Sequence, residues 1–171
     1  MNAPSFAPIL DRKPGQVERP KQLPIGSFEW LTKGIPRFDK STQKKTDFVE
    51  FTVVPQGPAK NSDGENLDVD PEALDEVLTR TNGDKIAIQS KSQRITFYIT
   101  EDAVWRLKEF LRHLGFDIPE EGEADDEDAP SLRQMISESA NRRFGGYISH
   151  KPSDDGTQMY ANITKTFALS E

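Results

Sequence analysis

The stretch Arg94-Ile-Thr-Phe-Tyr-Ile-Thr-Glu-Asp-Ala-Val-Trp-Arg-Leu-Lys-Glu-Phe-Leu-Arg-His-Leu-Gly115 changes its hydrophobic period halfway along, and its reading decides the fold class. Ile95, Phe97 and Ile99 alternate with Thr96, Tyr98 and Thr100, the pattern of a strand with one buried face. From Val104 the spacing becomes helical, with Val104, Leu107, Leu111 and Leu114 on one face, flanked by Ala103 and Phe110. Thr100 stands where a helix cap is needed, Glu101 and Asp102 follow at the positive end of the helix, and Gly115 supplies a left-handed stop. A strand therefore runs almost directly into an amphipathic helix over residues 101–114.

Strand-rich sequence lies on both sides of this unit. Ile25-Gly-Ser-Phe-Glu-Trp-Leu-Thr32 alternates as a first strand, and Phe48-Val-Glu-Phe-Thr-Val-Val54 is a second, ended by Pro55. Ile35–Thr46 between them reads as a loop rich in turn formers and positive charge. Asp70-Pro-Glu-Ala-Leu-Asp-Glu-Val-Leu78 is a short helix with Asp70 as its cap and Leu74, Val77 and Leu78 expected as its buried stripe. Lys85-Ile-Ala-Ile is the weakest strand candidate. Beyond Gly115, Ser131-Leu-Arg-Gln134 is a capping box opening a helix with Leu132, Met135, Ile136 and Ala140 inward. Gly145-Gly146 is expected to break that helix, after which Tyr147–His150 and Met159–Phe167 read as the last two strands. The expected fold is mainly β: a five-stranded barrel of the OB type, with a helix between strands three and four and further helical insertions.

At 171 residues the chain has the size of one domain, assigned to residues 23–171, preceded by a flexible Pro-rich arm over residues 1–22. There is no cysteine, which excludes disulfides and thiolate metal sites. No apolar run approaches the roughly 20 residues of a membrane span, and Met1-Asn-Ala-Pro lacks the features of a signal peptide, so a cytoplasmic protein without membrane contact is expected. The net charge is −7, and residues 119–128 alone carry seven carboxylates and no base, so the rest of the chain is balanced. That acidic run reads as a solvated internal linker; the alternatives are a hook for a basic partner and an intramolecular mimic of DNA.

The most suggestive cluster is the loop between the first two strands. Lys33, Arg37, Lys40, Lys44 and Lys45 place five cations within thirteen residues, with Phe38 among them. A nucleic-acid single strand is gripped by cations for its phosphates and flat side chains for its bases, and this loop is one of the two that OB folds use for that purpose. The alternation turns Tyr98 outward, opposite to Phe97, and Trp30 has the opposite parity to Ile25, so Trp30 and Tyr98 are the further stacking candidates. Catalysis finds no support: His113 and His150 lack metal-ligand spacing, and no nucleophile elbow, phosphate loop or dinucleotide fingerprint is present, so neither an enzyme nor a cofactor is expected.

Several segments together resemble a family of bacteriophage-encoded OB-fold proteins that bind single-stranded DNA. They are Leu23-Pro-Ile-Gly-Ser-Phe with the basic loop, Phe48-Val-Glu-Phe, Ile95-Thr-Phe-Tyr-Ile-Thr with Leu107-Lys-Glu-Phe-Leu, Gly146-Tyr-Ile-Ser-His, and Asp155-Gly-Thr-Gln-Met-Tyr-Ala-Asn-Ile. The likeness spans residues 23–168 and implies sequence-nonspecific binding of single-stranded DNA in phage DNA replication or recombination, in the cytoplasm of a bacterial host. It also implies replication or recombination proteins as partners through the acidic segment, and leaves homo-oligomerisation open. The chain departs from many single-strand binders in carrying its acidic run internally, since it ends Phe167-Ala-Leu-Ser-Glu171. The competing reading is a non-enzymatic protein–protein adaptor in a phage or replication assembly. If residues 119–128 are a solvated linker, their deletion leaves the melting temperature nearly unchanged; a large loss of stability in a thermal melt contradicts the linker reading.

Overall fold

The structure is a computed structural model, and it describes residues 10–17 and 19–169. Of the arm expected over residues 1–22, residues 1–9 and 18 lie outside the described residues. Five strands form one antiparallel sheet: β1 (Gly26–Lys40), β2 (Asp47–Pro58), β3 (Gln93–Tyr98), β4 (Arg143–Pro152) and β5 (Met159–Phe167). Their order is β3-β2-β1-β4-β5, with the long β1 shared between β2 on one side and β4 on the other. Three helices complete the described chain: α1 (Pro71–Val77), α2 (Val104–His113) and α3 (Leu132–Ser137). The mainly β class and the helix between strands three and four are as expected, and the strand order is consistent with an OB-like fold.

The closed barrel is not. The sheet stops at two edges, β3 and β5, which share no ladder. Side chains span the seam: Gln93 Nε2 donates to the Ala161 carbonyl at 3.1 Å, and the Ala161 amide reaches Gln22 Oε1 at 3.5 Å. Helix α2 covers the same opening. Its Phe110 stacks on Phe97 of β3 at 5.0 Å, while His113 Nδ1 lies 2.8 Å from Thr166 Oγ1 of β5. Burial holds the pKa of His113 below the usual histidine value; Glu109 opposes that shift and Arg112 adds to it.

The inward face of the sheet carries Phe28, Trp30, Val49, Phe51, Val53, Phe144 and Ile148, all essentially inaccessible, and α2 adds Leu107, Phe110 and Leu111. The helix ends where the sequence indicates. Gly115 has φ +98°, its amide donates to the Arg112 carbonyl and the Phe116 amide to that of Leu111, closing a Schellman motif. At the start, Thr100 Oγ1 accepts from the Ala103 amide, so the cap sits one turn ahead of the regular helix. Helix α1 is capped by Asp70 through the Glu72 amide, and α3 by Ser131 through the Gln134 amide.

Four local expectations are revised. Strand β1 runs on to Lys40, so most of the expected basic loop is strand and the turn is only residues 41–46. Strand β2 passes through Pro55 to Pro58, because at Pro55 it has cleared the end of β3 and bulges against β1 between Glu29 and Trp30, where a missing N–H is tolerated. Lys85-Ile-Ala-Ile forms no strand; Lys85 makes an isolated bridge to Thr79, and a 3-10 turn follows at Ile88–Ser90. Gly145 and Gly146 lie inside β4, and helix α3 has already ended at Ser137. Aromatic rings lie directly on these two glycines. A Cβ on Gly145 would stand 2.2 Å from the Phe167 ring, and one on Gly146 2.8 Å from the Trp30 indole. Gly145→Ala is therefore expected to destabilise by about 1–3 kcal/mol through overpacking. Gly57→Ala, whose Cβ meets nothing within 4 Å, stays near wild type; equal urea midpoints for the two variants would contradict this account of β4.

Candidate nucleic-acid interface

Cross-strand partners point to the same face of a sheet, so the register shows which expected site residues come together. On the outer face of β1, β2 and β3 three rows are formed: Lys33–Thr52–Arg94, Arg37–Glu50–Thr96 and Asp39–Phe48–Tyr98. Rows two residues apart are about 7 Å apart along the strands. Tyr98 is 49% exposed and packs edge-to-face on Phe48, with ring centroids 6.3 Å apart. The Arg37 guanidinium lies over the other side of this pair, 5.5 Å from the Phe48 centroid. The β1–β2 turn completes that end, since Lys44, Thr46, Tyr98 and Thr100 line one shallow concavity. Lys45 shares the turn in a left-handed conformation, φ 56°, with its amide bonded to the Ser41 carbonyl.

Phe38 does not join them. It is paired with Val49, which is buried and faces inward, so its ring lies on the opposite face from Tyr98. Arg133 of α3 covers that ring at 5.8 Å. Lys40 is directly opposite Asp47 and bonded to it at 2.7 Å. Trp30 is a correction: it is fully buried and its Nε1 donates to the Gly146 carbonyl at 3.2 Å, so the indole offers no stacking surface. The parity count from Ile25 fails at its starting point: Ile25 lies just ahead of the strand and is itself 49% exposed, so the opposite parity turns Trp30 inward.

Charge on the outer face is partly compensated. Glu50 sits between two guanidiniums, 3.4 Å from Arg37 Nε and 3.8 Å from Arg94 Nε. Arg37 also pairs with Asp39, whose carboxyl is held below its usual pKa, first by the Lys40 amide and further by Arg37. Among the described residues, Lys33, Lys44 and Lys45 make no ion pair. Arg94 and Phe48 are the contributors not picked out in the sequence; the alternation that turned Tyr98 outward does the same for Arg94.

The hairpin joining β4 and β5, the second of the two loops with which OB folds hold oligonucleotides, is acidic at its tip. Asp155 accepts from the Ser153 hydroxyl and from the amide and hydroxyl of Thr157, which lowers its pKa to about 2. With Asp154 beside it, this turn presents carboxylates where a polyanion would need cations. Among the described residues no cluster of histidines and carboxylates could hold a metal ion, and no helix is long and apolar enough to cross a membrane.

No family model fits the chain, and no curated protein matches it in sequence. The two indoles separate cleanly, Trp30 being buried and Trp105 55% exposed. Iodide should quench only the Trp105 emission, leaving Trp105→Phe blue-shifted and resistant to quencher; ready quenching of that variant would contradict the placement of Trp30.

Proposed function

We propose that this chain binds single-stranded DNA without sequence preference, as a non-enzymatic relative of the phage OB-fold single-strand binders, acting in phage replication or recombination in the host cytoplasm. The observation that carries the reading is the outer face of β1–β2–β3, where Lys33, Arg37 and Arg94 share a surface with the Phe48–Tyr98 pair and Lys44 stands at its end. Cations spaced along a strand surface and an exposed ring with an open face are the two components of sequence-tolerant single-strand binding. The OB-like strand order supports the reading, because the second and third strands carry the ligand face in that fold. Within it, Lys33, Arg37, Lys44 and Lys45 contact phosphates and Tyr98 stacks on a base. Lys40 and Phe38 are set aside, one bonded to Asp47 and the other on the far face.

A fluorescence titration with a labelled oligothymidylate tests each role. For single strands the slope of log affinity against log salt falls by roughly 0.7 per phosphate contact, so Lys44→Ala with Lys45→Ala should flatten it by about 1.4. Tyr98→Ala should cost about 1–3 kcal/mol with little change of slope, whereas Phe38→Ala should leave binding unchanged. Absence of measurable affinity for the wild-type protein at about 50 mM salt, where such contacts are strong, would reject the reading in favour of a protein–protein adaptor.

A further inference from the structure

We propose that the seam between the two sheet edges is a second phosphate-binding track, on which the single strand continues after crossing the β1–β2–β3 face. The proposal rests on the single-strand reading above and extends it to residues outside the β1–β2 region. One concavity lies at the seam, walled by Gln93 and Arg94 of β3 and Ala161 and Asn162 of β5; a second, beside Val77, Thr79 and Arg80, shares Pro20, Lys21, Ser90 and Lys91 with it, so the two form one groove leading off the seam. Arg19, Lys21, Arg80, Lys91 and Arg94 line it, and among the described residues no carboxylate does. The other lining groups include the Ser90, Ser92 and Asn162 side chains, which can donate to phosphate oxygens.

Among the described residues, Arg19, Lys21, Arg80 and Lys91 lack the carboxylate partners seen at Arg37 and Lys40. The Lys21 ammonium donates to the Glu76 and Thr79 carbonyls at 3.3 and 3.5 Å, and the Lys91 ammonium to the Lys21 carbonyl at 2.8 Å. Both are thus positioned by backbone oxygens, with their charge unpaired. Among the described residues Arg19 and Arg80 make no ion pair, and Arg94 has only the 3.8 Å contact to Glu50. Burial lowers the pKa of Lys91, and the nearby Arg80 lowers it further, as crowding of like charge requires. An incoming anion relieves that repulsion.

The groove is built on anchored chain. Leu23 is buried, its carbonyl accepts from His150 Nε2 at 2.7 Å, and Gln22 Oε1 accepts from Ala161 at 3.5 Å. Five cations drawn out along a groove match an extended chain of phosphates better than one isolated ion. Arg94 belongs both to the groove and to the first row of the outer face, so the two surfaces join along β3. From Arg94 to Tyr98 the strand advances about 13 Å, which sets the spacing between the groove and the stacking ring.

The test uses the full chain and the same labelled oligothymidylate. Arg19 and Arg80 are exposed and bear no described ion pair, so Arg19→Gln with Arg80→Gln should leave the melting temperature unchanged. That variant should weaken binding and flatten the salt slope by about 1.4, the loss of two contacts. Arg19→Lys with Arg80→Lys retains the charge and should keep the wild-type slope. If the Gln variant keeps both slope and affinity while Lys44→Ala with Lys45→Ala flattens the slope, the groove proposal is overturned and the single-strand reading stands. A Lys variant as defective as the Gln variant also overturns it, since charge is then not the cause. If the wild-type protein does not bind the oligonucleotide at all, the reading and the groove fall together.

Discussion

One ring holds the two halves of this sheet in register. Phe110 lies 4.9 Å from Phe51, 5.0 Å from Phe97 and 5.0 Å from Phe144, so a single side chain of α2 touches β2, β3 and β4. An open five-stranded sheet would otherwise leave β3 and β5 as bare edges with nothing to hold their separation. Removing so large a buried ring costs about 3–5 kcal/mol in comparable cores, a large share of the stability of an ordinary domain. Helix α2 thus does the work that a ladder does in a closed barrel, and the seam stays wide enough to be a groove.

That arrangement also decides where positive charge can act. Extension of β1 to Lys40 moves Lys33 and Arg37 off a loop and fixes them on a pleated surface, beside groups that either neutralise or complement them. Glu50 moderates two arginines, Asp47 ties down Lys40, and the β4–β5 tip is occupied by Asp154 and Asp155. Among the described residues, Lys44 and Lys45 at the turn and Arg19, Lys21, Arg80 and Lys91 along the groove make no ion pair, and these two groups stand toward opposite ends of β3. Balanced composition outside residues 119–128 therefore conceals a local asymmetry, and local fields govern binding to charged polymers.

Much of the fold was legible because its signals are periodic. The period change at Thr100, the caps at Asp70 and Ser131, the stop at Gly115 and the limits of β5 all follow from short-range chemistry that one sequence displays. What could not be read depended on partners distant in the chain. Trp30 is inward because Gly146 leaves room for its ring, and Gly145-Gly146 belongs to a strand because two aromatics lie upon it; neither fact is local. Closure failed as an expectation for the same reason, since strand pairing across the seam is set by tertiary space. At the candidate site, Tyr98 was correctly turned outward by alternation, whereas the two-residue excess of β1 between Lys33 and Arg37, which keeps both on one face, leaves no periodic trace.

Two adjacent glycines in the middle of β4 have a consequence for the route of folding. Glycine is a poor strand former, and within β4 the extended state is favoured only by neighbours of the pair, Phe144, Tyr147 and Ile148. Its cover arrives from elsewhere, Phe167 from the following strand and Trp30 from a position 116 residues earlier. The β1–β2 hairpin closes over a six-residue turn, while β4 joins β1 only after a long stretch of chain has been drawn in. The entropy of that closure precedes its reward, and contacts of this range slow folding. The β4–β5 hairpin, like β1–β2, closes over a short turn, so the costly step for β4 is its docking on β1, which, like the pairing of β2 with β3, joins segments far apart in the chain.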